Sequence, residues 1–264
     1  LCKSDDIIEI ENLASEVLDI IRVPFLINNS VIHINGRVGI SMYPYDGKDV
    51  ETLMRSADIA LCKAKEIHGR KICFFSREMY EETKDNFLYA NYLTNSISNN
   101  ELSIHYQPIF NLKDCTEIVG LEALLRWTNA TLGNVPPAVF IPLAEKSGQI
   151  VSIGEWVLDR VCKQIKFWEM KGYQIIPISV NISVKQLEQI GFSSKGISIL
   201  NNYNIDSNVI ELEITESVSS GDITTIVDNL KDLKTFGMTI SMDDFGTGFS
   251  SLGKLDFFEL DKIK

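Results

Sequence analysis

Oxygen-bearing side chains recur where the apolar runs of this sequence end. Glu122 sits in "LEALLRW", Asn181 near the end of "ISVNIS", Glu213 in "LEITES", and Asp243 and Asp244 follow "TISM". Carboxylates and an amide are hard donors, a set that suits Mg²⁺ or Mn²⁺ better than zinc, and no histidine joins them. His33 and His68 fall early in the chain and His105 lies just before Gln107, so each reads as a structural or solvated side chain. Two metal ions roughly 3.5–4 Å apart need a bridging carboxylate with further ligands on either side. Adjacent aspartates leaving a strand supply two such groups in different directions, and Gly246 and Gly248 let the following loop fold tightly. Taken singly, each acid is equally well a loop or helix N-cap; recurrence at successive strand ends is what points to a metal site. Gln107 in "YQPIF" and Arg126 in "LLRW" are candidate base and phosphate contacts, arginine being suited to bidentate phosphate recognition. Lys264 would be a cation able to orient a nucleophilic water or stabilise an oxyanion, although on composition alone a chain-end lysine carries no such role.

These residues need strands to hold them. From Ser103 onward apolar strands ("SIHYQPIF", "EIVGLEALLRW", "IIPISVNIS", "VIELEIT", "MTISM") alternate with helices predicted over 137–146, 151–171 and 221–236. In the second helix Ile153, Trp156, Val157, Val161, Ile165 and Trp168 share one face; in the third, Ile223, Val227, Leu230 and Leu233 do, and Gly237 ends it. Strand–helix repetition predicts a mostly parallel sheet with helices outside it, whose C-terminal strand ends gather functional groups. An open doubly wound sheet and a closed (β/α) barrel satisfy that pattern equally. Ahead of it, residues 7–21 predict a helix with Ile10, Leu13, Ala14, Val17 and Ile21 on one face. Short strands with turns at Asn28-Asn29 and Asn35-Gly36 follow, then a helix stopped by Gly69 and the strand "KICFF". This is part of an α+β domain over 1–76, joined by a connecting helix at 77–98 to a second domain at 99–264.

Composition narrows the partners. A formal net charge of −11 repels polymeric nucleic acid, while a small phosphate ligand remains compatible if metal ions offset the carboxylates. No run of about 18 apolar residues occurs, so this segment predicts no membrane contact of its own. Cys2, Cys62, Cys73, Cys115 and Cys162 are scattered and form no CxxC pair, which fits small buried thiols in a reducing cytoplasm. Leu1 in place of a methionine predicts a fragment of a longer protein, whose upstream segments could carry a membrane anchor.

The ordered motifs resemble the EAL family of cyclic-di-GMP phosphodiesterases. Glu122-Ala123-Leu124 with Arg126 and Trp127, "YQPI" at 106–109, "FIPLAEKSGQI" at 140–150, "VNIS" at 180–183, "LEITES" at 212–217 and "DDFGTGFSSL" at 243–252 carry the likeness from about residue 100 to the end. The resemblance implies a TIM-like (β/α) barrel that hydrolyses one phosphodiester of cyclic-di-GMP to linear pGpG using two Mg²⁺ or Mn²⁺ ions, with Ca²⁺ inhibiting. It implies Glu122, Asn181, Glu213, Asp243 and Asp244 as metal ligands, Glu216 as the stabiliser of loop 245–252, and Gln107 and Arg126 as substrate contacts. Lys264 in "DKIK" stands at the family's catalytic lysine, and Phe249 replaces a frequent tyrosine. Relative to the family, the last barrel strands, with a further metal-site glutamate and a glutamine, are expected beyond Lys264. "VGISMYPYDG" at 38–47 and "LMRSADIALCKAKEIHGRKIC" at 53–73 resemble the C-terminal part of a GGDEF (diguanylate cyclase) domain, with Cys62 where tyrosine is usual and without the signature loop. A cyclic-di-GMP receptor without hydrolysis, or a regulatory GGDEF–EAL protein, are the alternative readings, and homodimers are an expected assembly.

Overall fold

The computed structural model describes residues 4, 6–28, 30–67, 69–114, 116–215, 223–243 and 258–263. The chain divides into two compact units, Leu1–Leu88 and Tyr89–Lys264.

In the first unit, Asp6 accepts a hydrogen bond from the Ile8 amide and opens α1 (Ile7–Arg22). The buried positions of α1 are Ala14 and Leu18, whereas Leu13 and Val17 of the expected face are exposed. Gly36, expected at a turn but in an extended connection with no turn, packs on this side: a Cβ there would come within 2.8 Å of the Leu18 side chain and 3.7 Å of Ile21. β1 (Phe25–Ile27) and β2 (Ser30–Ile32) form an antiparallel hairpin, with Asn28 in the left-handed region at its turn (φ 50°). β3 (Val38–Ile40) and β4 (Ile72–Phe74) pair in parallel through α2 (Val50–Glu66), which Asp49 caps by accepting from the Thr52 amide. α2 ends at Glu66, before the expected Gly69 stop, and Gly69 follows with φ 83°. Ala60 and Ala64 of α2 bury against Cys73.

α3 (Arg77–Leu93) leads to the second unit. There β5 (Leu102–Phe110), β6 (Ile118–Asn129), β7 (Gly133–Val135), α4 (Pro137–Ser147), α5 (Ile150–Met170), β8 (Ile178–Ile182), α6 (Val184–Leu187), α7 (Phe192–Tyr203), β9 (Ile210–Thr215), α8 (Ile223–Phe236), β10 (Thr239–Asp243) and β11 (Lys262–Ile263) follow in order. One sheet runs β11-β10-β9-β8-β6-β5, with β7 pairing β6. From β6 to β11 along this path neighbouring strands are parallel, and β5 runs antiparallel to β6.

Period-two alternation gives this sheet two chemically different faces. Ala123, Val180, Leu212 and Ile240 are level with one another, all are buried, and they carry the face packed under helices. The opposite face carries Glu122, Ser179, Asn181, Glu211, Glu213, Ser241, Asp243 and Lys262. Ile153, Val157, Val161 and Ile165 of α5 are buried as their spacing requires, with Trp156 and Trp168 packed partly buried beside them. In α8 the buried apolar residues are Ile226, Leu230 and Leu233, while Ile223 is 38% exposed.

Cys73 and Cys162 are buried free thiols; Cys62, expected to be buried, is exposed. Burial, reinforced by the Asp159 carboxylate, pushes the Cys162 thiol up to about 12. Iodoacetamide at pH 8 should therefore modify Cys62 quickly and leave Cys73 and Cys162 unmodified until the protein unfolds, as peptide mass mapping would read; labelling of Cys162 at the rate of Cys62 would contradict this packing. Gly39 gives a second check. A Cβ on it would stand 2.2 Å from the Ala57 carbonyl and 2.3 Å from the Leu61 amide, both backbone. Gly39→Ala should lower the stability of the first unit by about 3 kcal/mol in urea unfolding, and an unchanged midpoint would refute the close β3–α2 approach.

Candidate active site

The polar sheet face is arranged in rungs. Ser179 is level with Glu122 on β6 and with Glu211 on β9. One rung nearer the C-terminal strand ends, Asn181, Glu213, Ser241 and Lys262 are level across β8, β9, β10 and β11. At the last described rung Asp243 is level with Thr215. Glu122, Asn181, Glu213 and Asp243 thus lie on successive strands, on one face. Asn181 Nδ2 donates to Glu122 Oε1 at 2.9 Å, tying β8 to β6 across the rungs. Glu213 is buried at 2% exposure, Asp243 and Glu122 are half-buried, and Asn181 is exposed.

Gln107 is directly opposite Glu122 in the β5–β6 ladder, on the same face and exposed. Arg126 lies on β6 further along that face, level with Ser103, and its guanidinium donates to the Leu125 carbonyl at 2.9 Å. Arg126 and Asn181 also line a cavity of about 300 Å³ whose wall includes Glu145, Ser183 and Gln186. Asp244, Glu216 and Lys264 lie outside the described residues.

The frame behind Arg126 is well anchored. Trp127 is buried beside Phe140, ring centroids 5.6 Å apart and edge-on. Its indole Nε1 and Asn129 Nδ2 both donate to Glu101 Oε2 at 3.0 Å. Burial works to raise the Glu101 carboxyl, but these donors, with Asn99, outweigh it and hold the group below its ordinary value. In the wall of the same cavity, Ser183 Oγ donates to Glu145 Oε1 at 2.5 Å, and Ser183 with Gln186 forms the capping box of α6. Reasoning from sequence passed over Glu145, Ser183 and Gln186, although Ser-x-x-Gln after an apolar strand is a readable capping signal. It also passed over Glu211 and Lys262, whose alternation with Glu213 and Lys264 was the available clue.

The donor set fits a hard divalent cation. It is all oxygen, and because Asn181 gives its amide nitrogen to Glu122, its carbonyl oxygen remains for a ligand. Among the described residues no three His, Cys, Asp or Glu side chains come close enough to hold a metal by themselves. The fit therefore rests on oxygen chemistry and strand placement, with Asp244 lying outside the described part.

Residues 90–264 match the family model described as EAL domain, and residues 1–71 match that of the diguanylate cyclase, GGDEF domain. The chain is 40% identical over 252 residues to a signaling protein of Caulobacter vibrioides, covering 96% of this chain and 30% of that protein. It is 36% identical over 240 residues to the bifunctional diguanylate cyclase/cyclic di-GMP phosphodiesterase MucR of Pseudomonas aeruginosa, covering 91% of this chain and 35% of MucR. It thus spans about a third of the length of these relatives. Among solved structures, a MucR phosphodiesterase in complex with cyclic-di-GMP superposes with a TM-score of 0.61 at 36% identity, over 67% of this chain and 71% of that one.

The Glu101 bridge is testable. Its stabilising contribution belongs to the ionised carboxylate, so it is complete above the unfolded-state value near 4.5 and is lost as pH falls through the lower folded-state value. Glu101→Gln should cost about 1 kcal/mol at pH 7, and the gap to the parent should close below about pH 4 in denaturant titrations; a gap independent of pH would mean the charge is not what Trp127 and Asn129 hold.

Proposed function

The chain belongs to the EAL-domain family, with the GGDEF-matching segment ahead of it, and from that premise we propose that it hydrolyses cyclic-di-GMP to linear pGpG. The observation that carries the reading is the placement of Glu122, Asn181, Glu213 and Asp243 on neighbouring strands of one polar face, next to Gln107 and Arg126. The substrate class follows the MucR complex, whose ligand is cyclic-di-GMP.

Glu122, Asn181, Glu213, Asp243 and Asp244 are proposed to hold two Mg²⁺ or Mn²⁺ ions. Such ions supply Lewis-acid polarisation of the phosphodiester and lower the pKa of a bound water. The protein's own share is binding and orientation. Arg126 engages a phosphate, Gln107 contacts the substrate beside Glu122, and Glu216 steadies the loop at 245–252. The Asn181–Glu122 hydrogen bond fixes both side chains before substrate arrives, so that less ordering is needed on binding. The reaction forms one P–O bond from water and breaks one ester P–O bond, and the ester oxygen leaves with a proton. Lys264 is proposed to orient that water and balance the negative charge developing on the phosphoryl oxygens. Ca²⁺ is expected to inhibit, since its larger, irregular coordination shell fits a tight two-ion site poorly.

No helix among the described residues is long and apolar enough to cross a membrane. Cytoplasmic placement and homodimerisation belong to the same proposal, and the acidic charge disfavours polymeric nucleic acid as a partner.

The test is cyclic-di-GMP turnover by the native protein in Mg²⁺ or Mn²⁺, with Glu122→Ala alongside. We expect pGpG from the parent, a loss of about a thousandfold or more in the variant with a much smaller change in ligand binding, and no turnover in Ca²⁺ alone. Saturable binding by the parent without product would replace the enzyme with a receptor. Equal turnover in parent and variant would remove Glu122 from the site.

A further inference from the structure

Lys262 and Glu211 form an ion pair that the chemistry above leaves unused. Lys262 Nζ stands 2.6 Å from Glu211 Oε2, with the glutamate side chain 5% exposed and the lysine 54%. In register, Lys262 is level with Ser241, and Ser241 with Glu213. Glu211 sits one rung further from the C-terminal strand ends, level with Thr239. Seen from β11, both glutamates are two strands away, about 9.6 Å at the ordinary inter-strand spacing, but Glu211 lies roughly 6.6 Å further back along the strand. The ammonium thus takes the longer diagonal and turns its charge away from the rung of Asn181 and Glu213. Ser241, the intervening side chain, is small and wholly buried, so it does not fence Lys262 off from Glu213.

We propose that Glu211 is a positioning residue that tethers the Lys262 ammonium one rung behind the metal ligands, keeping it from pairing with the carboxylates that a divalent ion must occupy. This rests on reading Glu213 and Asp243 as metal ligands. An internal cation beside Glu213 would act in a partly buried setting where charge pairing is strong, and it would be present at very high effective concentration. Glu211 offers that cation a partner already removed from water. A buried carboxylate has its own strong need for a counter-charge, so each member of the pair holds the other.

The test is Mn²⁺ affinity in the native protein, read by electron paramagnetic resonance of free Mn²⁺, for the parent, Glu211→Gln, Lys262→Met and the double variant. Releasing the lysine by E211Q should weaken Mn²⁺ binding about tenfold or more. Adding K262M should restore it to within about threefold of the parent, because the competitor is gone. K262M alone should bind Mn²⁺ as tightly as the parent or more so. A purely structural pair predicts otherwise, with the double variant no better than E211Q. Parental affinity in E211Q, or no recovery in the double variant, overturns the tether. Should E211Q not fold, K262M decides: retained affinity supports the tether and lost affinity overturns it. Mn²⁺ binding by a parent that yields no pGpG refutes the phosphodiesterase reading alone, and a parent that binds no Mn²⁺ overturns both.

Discussion

The second unit depends on a division of labour in its central strands: along β8, β9 and β10 the side chains turned toward the helices are apolar, and the alternate ones facing the other way are polar. A parallel sheet covered on both faces by apolar layers would read as continuous hydrophobic runs. Here "IELEIT" alternates, with Ile210, Leu212 and Ile214 buried under helices and Glu211 and Glu213 on the other face. A slip of one residue in the β9 register would put both glutamates into the apolar layer with α7 and α8. Register and site are therefore specified by the same residues, and the hydrophobic effect that packs the helices also aims the acids.

That arrangement places like charges close together in partly dehydrated surroundings, which demands compensation. The structure meets it in graded ways. Deep in the face, Glu211 has the Lys262 ammonium. Nearer the strand ends, Glu122 has the amide of Asn181, a donor without charge. At the edge of the unit, Asp261 accepts from the Ile240 amide and pairs with Lys234 at 3.0 Å, seating the start of β11 on β10. Among the described residues, Lys262 and Lys234 are thus paired behind and beside these acids, while Glu122 is met by the neutral amide of Asn181.

Much of this was legible because it is periodic. The α5 face emerged from 3.6-residue spacing, and the strand ends from apolar runs that stop at acids. What escaped lacks such a signal. α7 reads "FSSKGISILNNY", in which serines, Gly196 and asparagines obscure the buried line of Phe192, Gly196 and Leu200. α6 is a single capped turn, and β7 is a short edge strand recognisable only by its pairing with β6. In α1 Ala14 is buried as its spacing requires while Leu13 beside it is exposed, and Gly36 approaches Leu18 and Ile21 on the buried side. The Lys262–Glu211 pair was unreadable for another reason: residues 51 apart in sequence become diagonal neighbours only once three strands are in register.

The adjacent aspartates follow from the same geometry. Along a strand, successive side chains point to opposite faces, so Asp243 and Asp244 could not both serve one site if pairing continued through them. The described β9–β10 ladder has its last level pair at Asp243 and Thr215, with Asp243 on the polar face. A second carboxylate reaches the same centre only if the chain leaves the ladder right there, and the glycines at 246 and 248 are residues that permit such a departure. For the proposed two-ion site, paired acids are useful at a strand end and nowhere else along the strand, because alternation within the ladder would turn the second one to the opposite face.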